Sequence, residues 1–146
     1  MERLDPEAKN RRALLTQIAK AESGFVRDIQ NKAGAPAYGY FQFMQGNYKG
    51  KNYNNIRTYA GTDINTFKGD AKLQIQAANK LAKSFMSSFS QNELDQMHKM
   101  GWTDNAIIAG AWLGGPNGVR SYVFNNKDRD DGATSISRRM QQFNFS

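Results

Sequence analysis

The chain has no cysteine, a single histidine and three prolines in 146 residues. The first absence excludes disulfide staples, thiolate metal sites and a cysteine nucleophile, so stability must come from packing. His98 lies between Met97 and Lys99 and no G-x-S-x-G elbow occurs, which argues against a Ser-His-Asp hydrolase and fits a solvated helix histidine. Only carboxylates and amides remain as further metal ligands, and neither H-E-x-x-H nor an EF-hand loop is present, so no metal and no other cofactor is expected. Glycine-rich phosphate loops are missing too, which removes local support for nucleotide chemistry. No run of 18 apolar residues exists, so no membrane insertion is expected. The amino-terminal MERLDPEAKNRRALLTQIAK has charges where a secretory signal needs a continuous apolar core, and is read as having no signal peptide.

What remains is an ordinary globular composition, 39% apolar and 23% charged, long enough to bury a core and read as one domain over residues 1–146. The net charge of +7 attracts polyanions over roughly a Debye length, about 8 Å at physiological salt. Nucleic acid, anionic lipid and the acidic polymers of a bacterial wall all fit that charge. The basic residues are scattered, with no run of five, so charge alone does not choose among them.

Helical signals dominate the chain. Asp5 and Pro6 read as an N-cap and first helical residue, and Leu14, Leu15, Ile18 and Phe25 follow at helical spacing, with Gly24 as a stop after about Glu22 or Ser23. Residues 31–69, rich in Gly, Asn, Tyr and Thr, read as loops with room for a short β-hairpin or short helices. Asp70 can cap a long helix with Leu73, Ala77, Leu81, Phe85 and Phe89 on one face. Ser90 and Glu93 have capping-box spacing ahead of a short helix that stops at Gly101. Thr103 or Asp104 can cap residues 105–113, in which Gly110 and Ala111 permit close helix contact, and Gly114, Gly115 and Pro116 end that helix and begin another. Residues 128–132 read as a turn, and Thr134 as the cap of a last helix that buries Ile136, Met140 and Phe143.

With the other toolkits excluded, carboxylate chemistry is left. Glu2 is near the terminus, Glu7 suits a first helical turn, and Glu93 completes a capping box. Glu22 has no such task. Near a helix C-terminus the partial negative charge disfavours ionisation, which raises the proton affinity of a carboxyl, and burial beside Phe25 would add to it. Lys20 and Arg27 would oppose that shift if they point inward. From the residues alone, Glu22 reads more readily as a surface helix residue than as a catalyst.

The segment AESGF (residues 21–25), followed by AYGYFQFM (residues 37–44), resembles the goose-type lysozyme and soluble lytic transglycosylase superfamily, in which a Glu-Ser pair ends a helix and a G-x-x-Q stretch follows a variable loop. AWLGGPNGV (residues 111–119) resembles its third motif, usually A-Y-N-G-G, and is closer to the L-G-G-P-x-G version of glycan-cleaving domains in phage particles. Asp70 and its helix resemble a supporting helix, and DRDDGATSIS (residues 128–137) a closing segment, so the likeness spans about Leu14 to Phe143. Leu113 stands where the family has Asn, and Trp112 where Tyr is common.

The resemblance implies a mainly α, two-lobed lysozyme-like domain with a central cleft. It implies cleavage of the β-1,4 bond between N-acetylmuramic acid and N-acetylglucosamine in bacterial peptidoglycan, with Glu22 as general acid/base. Ser23, Tyr38, Tyr40, Gln42, Trp112, Gly114 and Gly115 are then expected to bind substrate, and Phe41 to line the cleft with the tyrosines. Because one acid is evident, a lytic transglycosylase giving a 1,6-anhydro product is favoured over a hydrolytic lysozyme; a hydrolase would need a second carboxylate, for which Asp28 and Asp63 are nearest. The expected partner is the wall glycan, reached from a phage virion or as a released endolysin, with other virion proteins as further partners and no nucleic acid. A wall-binding or structural virion module that has lost catalysis is the alternative, suggested by Leu113.

Overall fold

Eighteen residues from Pro6 to Ser23 form the first helix, α1, whose proline occupies the one helical position where a missing N–H costs nothing. The computed structural model describes residues 6–31, 34–129 and 134–146, with side chains from residue 11 onward. Asp5, the expected cap, and residues 130–132 of the expected turn lie outside them. Among the described residues are seven helices and one three-stranded antiparallel sheet, the mainly α architecture with a small hairpin that the sequence predicts. The chain divides into two compact units, Leu15–Leu81 and Met1–Leu14 with Ala82–Ser146.

In the first unit, Leu15, Ile18 and Ala19 of α1 are buried. The helix ends in an αL stop: Gly24 (φ +62°) returns its N–H to the Lys20 carbonyl at 3.0 Å. Phe25 lies beyond that stop, also at positive φ (66°), and is 52% exposed, so it extends neither the helix nor its apolar face. Strands β1 (Ala37–Tyr38), β2 (Phe43–Tyr48) and β3 (Lys51–Asn54) form a meander, with Tyr38 opposite Phe43 and Tyr48 opposite Lys51. Lys49 and Gly50 between β2 and β3 both take positive φ (50° and 79°), the requirement of a two-residue turn that follows the twist of its strands.

Helix α2 (Asn55–Ala60) stops at Gly61 in αL, and α3 (Ile64–Lys68) is capped by Asp63, which accepts the Thr66 N–H at 2.7 Å. Asp70 caps α4 (Ala71–Ser87) as expected, accepting the Leu73 N–H at 3.0 Å. Ala77, Leu81 and Phe89 of the expected stripe are buried, Phe89 beyond the helix end, but Leu73 and Phe85 are only half-buried and the buried face of α4 widens to take in Gln74, Ala78 and Ala82. Phe43 and Phe67 meet at 5.3 Å between ring centroids in the core of this unit, with Tyr59 edge-on to Phe43 at 6.4 Å.

In the second unit, α5 (Gln91–Lys99) carries both halves of the Ser90–Glu93 capping box, and its C-cap is Met100, one residue before the expected stop. Thr103 caps α6 (Asp104–Asn125), which is broken at Gly115 (φ 73°, ψ 171°), so Pro116 opens a second helical stretch. Helix α7 (Ile136–Gln142) is capped by Ser135, whose Oγ accepts the Arg138 N–H, and not by Thr134; the Thr134 hydroxyl bonds a backbone carbonyl instead. Ile136, Met140 and Phe143 are buried as expected. A Cβ on Gly110 would lie 2.7 Å from Met140 Cγ, which is why α6 needs a glycine where α7 crosses it.

Candidate active site

Glu22 and Ser23 are the last two residues of α1, and Glu22 is half-buried there. The helix end is closed by local bonds: Ser23 Oγ donates to the Ala19 carbonyl at 3.0 Å and accepts the Val26 N–H at 3.3 Å. The Ser23 hydroxyl thus shapes the exit that leads from Glu22 into residues 24–28.

The G-x-x-Q stretch is the four-residue turn between β1 and β2. Gly39 (φ 82°) donates its N–H to the Ile29 carbonyl at 2.9 Å and accepts, at its own carbonyl, both the Gln42 N–H at 3.2 Å and the Gln42 Nε2 at 3.1 Å. Gln42 holds a left-handed backbone (φ 52°) that a non-glycine residue adopts only where its surroundings impose it. The amide clamp onto Gly39 fixes the Gln42 side chain with one N–H used and its carbonyl oxygen turned away from that bond. Tyr38 and Tyr40 are half-buried; Lys68 Nζ lies 6.0 Å from the Tyr38 ring, and the Tyr40 ring meets Phe41 edge-on at 6.2 Å. Phe41, expected to line a cleft, is 3% exposed and belongs to the core with Phe43, because the turn directs alternate side chains inward.

A residue that the sequence did not single out organises this unit. Gln74 of α4 is fully buried; its Oε1 accepts the Tyr40 N–H at 2.8 Å and its Nε2 donates to the carbonyls of Phe67 at 2.8 Å and Arg27 at 3.0 Å. The available signal was a polar residue one turn before Ala77 and Ala78 on an otherwise apolar helix face.

Trp112, Gly114 and Gly115 belong to the second unit. Trp112 is half-buried and meets Phe85 edge-on at 5.7 Å. A Cβ on Gly114 would lie 2.5 Å from Ile136 Cδ1, whereas one on Gly115 would meet open space. Leu113, which stands in place of the family's Asn, packs on the apolar cluster of Met97, Ile107 and Val119.

Three other carboxylates, Glu93, Asp63 and Asp128, have identifiable structural tasks. Glu93 receives Arg120 Nε at 2.7 Å and Nη2 at 3.1 Å together with the Ser90 N–H at 2.9 Å. The Arg120 bonds, with the Ser90 bonds behind them, hold its carboxyl down at about 2. Asp63 is held below the ordinary carboxylate range by the Thr66 N–H and hydroxyl, with a smaller pull from Arg57. Burial acts to raise Asp128, but hydrogen bonds from Ser137, Ser135 and the Ile136 N–H outweigh it, and the net direction is downward. Asp28 is exposed. Among the described residues no cluster of His, Asp and Glu is arranged to hold a metal ion.

The model of the transglycosylase SLT domain family matches residues 5–135. The chain belongs to that family. Comparison with curated proteins and with solved structures gave no match. The match takes in the Glu-Ser pair, the G-x-x-Q turn and the G-G-P break of α6, and family membership supports a peptidoglycan-cleaving transglycosylase activity in general terms.

Proposed function

We propose that this SLT-family domain cleaves the β-1,4 bond between N-acetylmuramic acid and N-acetylglucosamine, with Glu22 as the single acid/base and a 1,6-anhydro muramic end as product. The observation that carries the proposal is the half-buried Glu22 at the C-terminal end of α1, while Glu93, the other glutamate whose side chain is described, is committed as a carboxylate to Arg120 and Ser90. A group held at about 2 has no proton to give near neutral pH, so Glu93 is unsuited to the task.

In the proposed reaction the Glu22 carboxyl gives its proton to the glycosidic oxygen as the bond to the anomeric carbon breaks and positive charge develops there. The resulting carboxylate takes the proton of the muramic acid's C6 hydroxyl as that oxygen closes on the anomeric carbon. Glu22 ends protonated, no water is consumed, and no second carboxylate is needed. The use of Asp63 as the cap of α3 and the exposure of Asp28 favour this one-acid route over a hydrolytic one. Gln42, with one amide hydrogen spent on Gly39, keeps a carbonyl oxygen able to accept from a sugar N-acetyl N–H or from the Glu22 carboxyl.

The test is release of soluble muropeptides from purified peptidoglycan by the intact chain and by Glu22→Gln. The variant is expected to fold as the parent does and to release fragments roughly 10²- to 10⁴-fold more slowly. Unchanged release would remove Glu22 from the mechanism. Fragments lighter by one water than hydrolysed ones are expected; full-mass ends would make the domain a lysozyme instead. A second reading, a wall-binding module without catalysis, draws on Leu113 packing, half-buried, against an apolar cluster where the family has a polar residue. It predicts wall binding with no fragments released by either protein.

A further inference from the structure

We infer that Gln74 is a positioning residue for the cleavage reaction: its buried amide ties the chain that leaves Glu22 to the turn that carries Tyr40 and Gln42. The inference rests on the function proposed above, and adds to it a side chain that neither the Glu-Ser pair nor the G-x-x-Q turn contains.

Four polar contacts converge on one amide. Oε1 accepts the Tyr40 N–H at 2.8 Å, and Nε2 meets the carbonyls of Phe67 at 2.8 Å, Arg27 at 3.0 Å and Lys68 at 3.4 Å. The amide has two N–H donors, so Arg27 takes one while Phe67, with Lys68 as the longer partner, takes the other. The orientation of the group is forced, because the N–H of Tyr40 must face an acceptor and the three carbonyls must face donors. Side-chain burial is complete, so each bond lost would strand a backbone group away from water. Arg27 lies five residues after Glu22, and Tyr40 two before Gln42.

The same amide accounts for the glycine of the G-x-x-Q turn. A Cβ on Gly39 would stand 2.5 Å from Gln74 Oε1 and 2.9 Å from its Cδ, at a backbone φ of 82° that side chains rarely adopt. Gly39 in turn supplies the carbonyl on which the Gln42 amide is clamped at 3.1 Å. From Gln74 through Gly39 to Gln42 there is thus a continuous line of contacts. Its loss lets the turn shift relative to the end of α1, and displacements of an ångström at a reacting pair cost up to about a hundredfold in rate.

The experiment compares the intact chain with Gln74→Met, which keeps length and removes every bond, and Gln74→Glu, which keeps the acceptor and loses the donor when ionised. Two readouts are taken at a temperature where circular dichroism shows all three folded. The first is hydrogen exchange of the peptide spanning residues 38–43. The second is the fragment-release rate with peptidoglycan in excess, beside co-sedimentation with the wall. Expected for Gln74→Met is faster exchange at Tyr40 and Gln42 and a release rate lowered between about tenfold and a hundredfold, with co-sedimentation changed less than about twofold. A neutral glutamic acid offers one donor and one acceptor, so Gln74→Glu should recover towards the parent rate and exchange as pH falls from 8 to 5. Exchange that is unchanged in Gln74→Met, or a Gln74→Glu to parent ratio flat with pH in both readouts, overturns the inference. If the methionine variant does not fold, the pH series of the glutamate variant decides alone. An inactive parent protein would sink the proposed function, and the exchange readout would still decide whether Gln74 holds the turn.

Discussion

Replacing Glu93 by Gln removes one charge while leaving the shape of the capping box, since Gln serves at that position as well. The carboxylate is gripped by Arg120 at 2.7 and 3.1 Å and by the Ser90 N–H at 2.9 Å, and Arg120 also reaches the Ser88 carbonyl at 2.6 Å. The proton affinity of the carboxyl falls from an ordinary 4.5 to about 2. Fully expressed, that difference is worth about 3 kcal/mol of folding stability. The side chains of Glu93 and Arg120 are 25% and 28% exposed, and solvent screening cuts the figure to about 1–2 kcal/mol. The sign follows from the direction: the folded-state value lies below the unfolded one, so the stabilisation is complete above pH 4.5 and drains away as pH falls towards 2. Urea unfolding of the parent and Glu93→Gln, followed by circular dichroism from pH 7 to pH 2, should therefore show a gap of about 1–2 kcal/mol at neutral pH that closes at the acid end. A gap of equal size at both ends would mean that packing is responsible and refute the electrostatic argument. No gap at pH 7 would mean that solvent cancels the pair altogether.

Gly114→Ala and Gly115→Ala are each expected to cost about 1–3 kcal/mol, for different reasons. At Gly114 the new methyl meets Ile136 Cδ1, so an Ile136→Val background should absorb most of the loss in urea unfolding; at Gly115, in open space at φ 73°, the same background should give no relief. Equal behaviour of the two pairs would contradict this. Nine of the basic residues but only four of the acidic ones fall between Leu15 and Leu81, with none of the acidic ones between Asp28 and Asp63, so association with an anionic wall should weaken with salt. Neutralising the exposed hairpin-tip residues Lys49 and Lys51 to Gln should reduce co-sedimentation at about 50 mM salt more than at about 500 mM. Loss of the same size at both concentrations would place the contribution of these residues outside electrostatics.

Helix starts were legible because each is written in a few adjacent residues. Ser90 with Glu93, Thr103 and Asp70 act through bonds to the next turn, Pro6 through its fixed φ and missing N–H, and all behave as their spacing predicts. Faces were less legible, since periodicity fixes a stripe only to within a residue. On α4 the four-residue steps from Leu73 share Ala77 and Leu81 with the buried face but miss Ala78 and Ala82, and that face begins with a glutamine that a search for apolar residues passes over. The hairpin was ambiguous for a related reason: Lys49 takes the positive φ that Asn usually signals, so a Lys-Gly turn left little trace. Phe25 was misread as an apolar wall for Glu22 because an αL stop at Gly24 turns the chain, and helical spacing ceases to apply after it.

The candidate site shows the same division between local and distant causes. Glu22 at a helix end and the G-x-x-Q turn could be read from neighbours within a few residues. What fixes the turn lies 34 positions from Tyr40, in a side chain whose four hydrogen bonds all run to backbone groups. Backbone groups carry no residue identity, so nothing at positions 27, 40, 67 or 68 advertises the partner. Only Gly39 does, by excluding a Cβ where the Gln74 amide sits. A motif glycine of this kind therefore marks two things at once, a positive φ and an occupied space. The second meaning points to a residue outside the motif: a larger side chain at 39 must displace Gln74 before it can disturb Gln42.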